Sequence, residues 1–235
     1  MFSTRVINPA LALVVVLVLL AAGCGREAQR PKEAELPLGG DLLRAAAQEM
    51  RGVESVRFDL DVAGPLGSPA IQQATGVLTR EGDASGAVTL DMGGTPVEYE
   101  VVISGDQVYL KGLTGKFQAL PSGSLYNPAQ LLSPSGGLAE VLAATTGART
   151  EAAEAVAGTP AHRVRATIDA KALEGLLPVQ LEEGEVPASL WIGQDRPRLL
   201  KAQLTATNQG ADKPTTMTVI LSDFNAEVEI TPPPG

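Results

Sequence analysis

Residues 55–63 read Ser-Val-Arg-Phe-Asp-Leu-Asp-Val-Ala, in which Val56, Phe58, Leu60 and Val62 alternate with Arg57, Asp59 and Asp61. Successive side chains of a strand point to opposite faces, so this stretch describes a β-strand with one apolar and one charged side. A strand of that kind belongs in a sheet that buries one face only, which favours antiparallel pairing. The same period of two recurs at 71–80, 84–92, 97–104, 107–111 and 116–120. Between these runs stand Glu81-Gly82-Asp83, Gly93-Gly94 and Gly105-Asp106, short turn sequences that suit a meander of hairpins.

Working outward, Leu42, Leu43, Ala46, Ala47 and Met50 repeat at helical spacing behind Asp41, which predicts a helix capped by Asp41 and ended by Gly52. On the other side, Asn127-Pro128 opens a helical stretch through Leu131 and Leu132. It breaks at Ser133-Pro134-Ser135-Gly136-Gly137 and resumes with Leu138, Val141 and Leu142. Strands are predicted again at 149–156 and 162–168. Asp169 then caps a short helix bearing Leu173, Leu176 and Leu177, which Pro178 stops. Four further strands follow at 188–192, 199–207, 215–221 and 228–230. The expected fold is α+β: one domain over 41–231, a curved antiparallel sheet or half-barrel with a few helices over its apolar face, and a short tail at 232–235.

Composition narrows the function. The chain has 235 residues, 18 Lys and Arg, 27 Asp and Glu and a formal charge of -9, without the basic stripe that nucleic-acid binding requires. One Cys excludes an internal disulfide and a paired-cysteine zinc site, and one His excludes a multi-histidine metal centre. No metal or cofactor is called for. The stretch 10–22 holds only Ala, Val and Leu, behind Arg5. A bilayer span needs about twenty residues, so this shorter run fits the apolar core of an export signal over residues 1–23.

The signal ends Ala21-Ala22-Gly23-Cys24, which resembles the bacterial lipobox, where the cysteine thiol is acylated and the preceding bond is cut. Cys24 is then a lipidated N-terminus held at the outer face of the cell membrane, since two acyl chains anchor stably where one does not. Residues 24–40, rich in charge, Pro and Gly, read as a flexible linker that reaches on the order of 20 Å.

Seven aromatic residues follow the signal, few rings to fill a curved sheet. Either the helices sink in and pack the centre, or a hollow remains for an apolar guest. A resemblance bears on that choice. The lipobox, Tyr126-Asn127-Pro128-Ala129-Gln130-Leu131-Leu132-Ser133-Pro134 with Gly137-Leu138 and Val141-Leu142, Val186-Pro187-Ala188-Ser189-Leu190-Trp191-Ile192, and Leu221-Ser222-Asp223-Phe224 are together similar to the actinobacterial LppX/LprA/LprF/LprG lipoprotein family, whose fold resembles the carriers LolA and LolB. The resemblance implies a cavity that binds an acylated lipid or glycolipid, and carriage of that lipid across the cell envelope. Phe58, Leu60, Val62, Val88, Leu90, Val101, Ile103 and Leu110 would line the cavity, and Leu131, Leu132, Leu138, Val141 and Leu142 would form its helical cover. It leaves room for a membrane lipid exporter as a partner.

Two other classes compete. One is a non-enzymatic envelope scaffold or interaction lipoprotein with a filled core. The other is a hydrolase, disfavoured because no GxSxG, HExxH or phosphate-loop motif is present. His162 shares the face of Val164, Ala166 and Ile168 and reads as a packed residue. Asp59 with Asp61 reads as a solvated acidic face, Glu182, Glu183 and Glu185 as a solvating loop, and Arg163 with Arg165 as partners of neighbouring acids. Trp191, opposite in face to Leu190 and Ile192, reads as buried against the sheet.

Overall fold

The computed structural model describes residues 36–64, 69–105, 107–120, 128–177, 181–208 and 213–233. Cys24, Tyr126, Asn127 and Pro178 lie outside them. Eleven strands form one curved, unclosed antiparallel sheet. They are β1 (Ser55–Ala63), β2 (Ala70–Thr79), β3 (Ala84–Asp91), β4 (Pro96–Ser104), β5 (Gln107–Lys111), β6 (Phe117–Leu120), β7 (Thr146–Val156), β8 (Thr159–Asp169), β9 (Glu185–Gly193), β10 (Leu199–Ala206) and β11 (Thr215–Ser222). The spatial order is β6-β5-β4-β3-β2-β1-β11-β10-β9-β8-β7. Two meanders, β1 to β6 and β7 to β11, therefore meet where the first strand pairs with the last. Helix α1 (Gly39–Met50) and helix α2 (Leu138–Ala144) are joined by 3-10 turns at Pro128–Leu132 and Ala170–Leu173.

The β1–β11 seam is reinforced at its start. Beyond β11 the backbone turns through Asp223 and Asn225, both at positive φ. Asn225 accepts from the Glu54 amide at 2.8 Å, and its own amide donates to the Ser55 carbonyl. The Ser55 hydroxyl donates to the Ala226 carbonyl at 2.6 Å, and Arg57 pairs with Asp223 at 2.9 Å.

Several sequence expectations shift here. The helix starts at Gly39, inside the stretch read as linker, and Asp41 is not its cap. The flanking Leu38 offers no side-chain cap; Asp41 sits in the first turn, where the helix end is electropositive, and pairs with Arg44. Gly39 is buried because it abuts the β7 backbone at Ala148. The two short segments around Leu131 and Leu173 are 3-10 turns, too short to pass into α-helix, although Asp169 does cap the second at 3.0 Å from the Lys171 amide. The strand expected at 228–230 is absent. Val228 and Ile230 are half-buried and their neighbours exposed, but the segment has no ladder. The turn at 223–226 holds the chain beside the start of β1, which is paired on both sides, and the free edges of the sheet, β6 and β7, lie elsewhere.

The curvature has a specific device. Gly76 of β2 and Gly86 of β3 are directly opposite one another. A Cβ on Gly86 would fall 2.1 Å from the Thr75 carbonyl oxygen, and one on Gly76 would fall 2.4 Å from the Ser85 carbonyl oxygen. Only two facing glycines let the strands approach this closely and bend. Gly86→Ala is expected to lower the stability of the domain by about 2 kcal/mol, because the strands must part. Gly40→Ala, whose new methyl meets nothing nearer than Arg44 at 3.9 Å, should leave stability unchanged or raise it by a few tenths of a kcal/mol. Urea denaturation of the two variants checks both.

Candidate functional site

The cross-strand register sorts the inner face of β1 to β5 into rows. Val56, Leu78, Ala84, Ile103 and Val108 form the first. Phe58, Gly76, Gly86, Val101 and Leu110 form the second, and Leu60, Ala74, Val88 and Tyr99 the third. Leu90 stands opposite Ile71 and Val97 in a fourth, close to the turn between β3 and β4. Burial falls across these rows. Every residue of the first is under 9% exposed, packed in the main core with α1, α2 and the β8–β10 face. In the second and third rows Phe58, Val101, Leu110, Leu60, Ala74, Val88 and Tyr99 are only half-buried, as are Leu90 and Val97.

The cover explains the gradient. α1 contacts α2, β7 and β9, and the first 3-10 turn reaches β2, so the helices shield the β7–β10 half of the sheet and one end of the β1–β5 half. Val164, Ala166, Ile168, Leu190 and Ile192 are accordingly all 3% exposed or less. Beyond that cover the sheet continues as apolar surface. A second small cluster, Val62 with Met217, joined by Leu60, Ile71, Leu177 and Leu204, closes the far end of β1 and β11. The second and third rows, with Phe58, Val101 and Val88 around the side-chain-free positions Gly76 and Gly86, form a half-buried apolar strip, the inner-face trough, and Leu177 and Leu204 pack against both the end cluster and the main core.

Eight strand residues picked from alternation, Phe58, Leu60, Val62, Val88, Leu90, Val101, Ile103 and Leu110, thus share one face, although Val62 and Ile103 are buried at its margins. Of the helical set, Leu132, Val141 and Leu142 are buried in the main core, and Leu131 and Leu138 are half-buried against it. The sequence reading missed Tyr99, whose position between Val97 and Val101 follows from the same alternation. It also missed Gly76 and Gly86, for which no local pattern exists, and Leu204, Met217 and Leu177, which long-range pairing brings in.

The remaining candidates do not converge. Asp59 and Asp61 face outward, accepting from Thr75 at 2.8 Å and Gln73 at 3.3 Å. Arg163 meets Glu154 at 2.9 Å and Arg165 meets Glu151 at 2.9 Å on the outer face. Glu182, Glu183 and Glu185 are exposed. His162 lies on the inner face between Ala153 and Ile192, with no acidic or nucleophilic residue opposite. Trp191 is 7% exposed on the outer face, where its indole donates to Glu154 at 2.9 Å and Lys201 stacks on the ring at 4.4 Å. Among the described residues no group of three metal-ligating side chains comes together, and no helix is long and apolar enough to cross a membrane.

A model of the LppX_LprAFG lipoprotein family matches residues 39–230. The chain is 29% identical over 229 residues to the lipoarabinomannan carrier protein LprG of Mycolicibacterium smegmatis, covering 94% of each chain. It is 28% identical over 227 residues to LprG of Mycobacterium tuberculosis, covering 95% of this chain and 94% of that one. Among solved structures, LprF from Mycobacterium bovis superposes with a TM-score of 0.74 at 20% identity, over 84% of this chain and 97% of the other. LppX from Mycobacterium tuberculosis gives 0.60 at 21%, over 82% and 97%. The fold is shared with these two structures.

Because Trp191 is on the face away from the trough, an apolar ligand entering the trough should leave its fluorescence emission maximum unmoved. Trp191→Phe, which removes the Glu154 hydrogen bond and weakens the Lys201 stack, should cost about 1 kcal/mol of stability and leave binding of a fluorescent fatty acid unchanged. Emission spectra and a binding titration read both.

Proposed function

The chain belongs to the LppX_LprAFG lipoprotein family, and from that premise we propose that it is a lipid carrier, non-enzymatic and anchored through acylated Cys24 at the outer face of the cell membrane. Its ligand is an acylated lipid or glycolipid whose chains lie in the inner-face trough, and its task is to carry that ligand across the cell envelope. The observation that supports this most directly is the run of half-buried apolar side chains, Phe58, Leu60, Val88, Leu90, Tyr99, Val101 and Leu110, on an inner face that the helices leave uncovered. A monomeric domain that needed only stability would have closed this surface, since apolar area left in water forgoes roughly 25 cal/mol per Å². The LprG relatives, named as lipoarabinomannan carriers, agree in ligand class with a molecule that brings acyl chains to be sheltered.

The physical task is to avoid water rather than to bind tightly. An acyl chain of about sixteen carbons gains on the order of 12 kcal/mol on leaving water for either a bilayer or an apolar trough. Exchange between the two is nearly balanced, and no energy source is required at the protein for loading. The trough supplies apolar walls. Headgroups remain in solvent, which suits a site whose walls bear Tyr99 as their main polar side chain. Direction of transport then comes from whatever takes the lipid up or delivers it, an exporter in the membrane included.

Mass spectrometry of protein purified without detergent from its native envelope should find acyl lipid in near-stoichiometric amount. Protein that is bare, and that takes up no lipid from vesicles, would sink the reading. Val101→Trp, placing a ring over Gly86, should cut bound lipid by about tenfold with the thermal midpoint held or raised, because the ring fills space that is otherwise solvent or ligand. A filled-core scaffold gives the opposite pattern, a lower midpoint and no lipid to lose.

A further inference from the structure

Among the described residues three large apolar side chains stand well clear of the surface: Leu113 at 88% exposure, Leu38 at 73% and Met92 at 48%. They are distant in sequence, yet the sheet brings them to one end. Met92 is in the turn between β3 and β4, and Leu113 is in the turn between β5 and β6. Antiparallel pairing puts both at the end where β1 finishes and β11 begins. Leu38 comes to the same end from the other edge of the sheet. Its neighbour Pro37 accepts a hydrogen bond from Thr150 at 2.6 Å, and Gly39 lies against Ala148, both in the half of β7 that starts there. The opposite end presents Arg80, Glu81, Asp83, Asp195 and Asp223 and no exposed large hydrophobic residue among those described.

We propose that this end of the sheet is a membrane-docking rim, seated on a phospholipid bilayer with Leu113, Met92 and Leu38 dipping among the lipids. Three independent features select a bilayer as the occupant. First, the three side chains are spread along the rim, beside β7 at one edge of the sheet and next to β6 at the other. A plane touches such points together, whereas a protein partner buries a contiguous patch. Second, the chain enters α1 at this rim, so residues 24–35, the segment leading from Cys24, join the domain on the side that would face the lipid. Third, the half-buried inner-face rows open here, with Leu90 and Val97 on the strands flanking the Met92 turn.

Lys116 is exposed three residues beyond Leu113 and can meet lipid phosphate, while Lys111 is engaged by Glu100 at 2.6 Å. Across the rim the loops before β9 and β11 expose Glu174, Glu182, Glu183 and Glu185 against Lys171 and Lys213. The β3–β6 corner holds Asp91, Glu98 and Glu100 beside Lys111 and Lys116, so the contact is set by the apolar residues, two of which, Met92 and Leu113, are at that corner. A lipid chain could then pass from bilayer to Leu90 and Val97, and on to Val88 and Val101, without crossing water. This last step rests on the carrier reading; the docking itself does not.

The test uses the acylated protein in vesicles of phosphatidylcholine with a minority of phosphatidylglycerol. An environment-sensitive fluorophore is placed at Leu113→Cys, at Met92→Cys and, at the opposite end, at Glu81→Cys. Spin labels on the lipid acyl chains should quench the first two and spare the third. Equal response at 113 and 81 overturns the proposal, and so does a shielded but unquenched 113, which is the mark of a protein contact. In a second measurement, Leu113→Asp combined with Met92→Asp should slow transfer of a fluorescent diacyl lipid between vesicles by about tenfold at unchanged lipid occupancy. An unaltered rate overturns it. Protein that carries no lipid yet is quenched at 113 supports the rim and defeats the carrier reading.

Discussion

An antiparallel sheet with one apolar face must hide that face, and here the covering elements are too small to do so. Eleven strands stand against a helix of twelve residues, one of seven and two single 3-10 turns. A flat sheet would leave most of its inner side in water. Curling reduces the area to be covered, and the facing glycines at 76 and 86 make the curl possible between β2 and β3. What the curl and the helices together cannot reach is the second and third rows of the β1–β5 half. The trough is thus a direct result of this mismatch between sheet area and helix area, sharpened by two positions where the sheet gives up side chains altogether.

The outer face is built differently, and the difference explains why it tolerates water. Its stabilisation is spread over short-range pairs: Glu151 with Arg165, Glu154 with Arg163 and Trp191, Asp59 with Thr75, Lys111 with Glu100. Each such exposed pair is weak, because solvent screens it and the side chains lose freedom. Only around Trp191 does the outer face form a small core of its own, with Val156, Ala161, Leu200 and Ile220. That patch lies over the joints of β8, β9 and β10, whose inner sides are fully covered, so the well-packed half of the sheet is buried from both sides there. The other half has no equivalent outer-face cluster among the described residues.

How much of this was legible before the coordinates depends on the range of the physics involved. Alternation is local, so β1 to β5 and the common face of Phe58, Leu60, Val88, Leu90, Val101 and Leu110 could be read from neighbours two residues apart. Tyr99 has the same period, but its hydroxyl makes it as much at home on a wet face as on an apolar one. The Gly76–Gly86 apposition depends on the β2–β3 register, which includes a slip between Ile71 and Gln73, and no single strand encodes it. The missing strand at 228–230 shows the converse error: Val228 and Ile230 have the right period, but a strand also needs a free edge. Asp41 as a cap failed because packing of Gly39 against β7 moved the helix start upstream. Cys24, on which the proposed anchor rests, is read from sequence chemistry alone.

The pairing of β1 with β11 has a consequence for how the molecule is made. The strand that reads most clearly in the sequence is also the one whose partner is last to emerge. Until Thr215–Ser222 is available, the two meanders share no seam, and β1 and β10 each present a bare edge able to pair with a foreign strand. The clamp of Glu54, Ser55 and Arg57 onto residues 223–226 arrives later still. Folding of this domain is therefore an end-to-end event with high contact order. A chain emerging through a pore in vectorial fashion would leave this seam open, and exposed to chaperones, until residues 215–226 had passed.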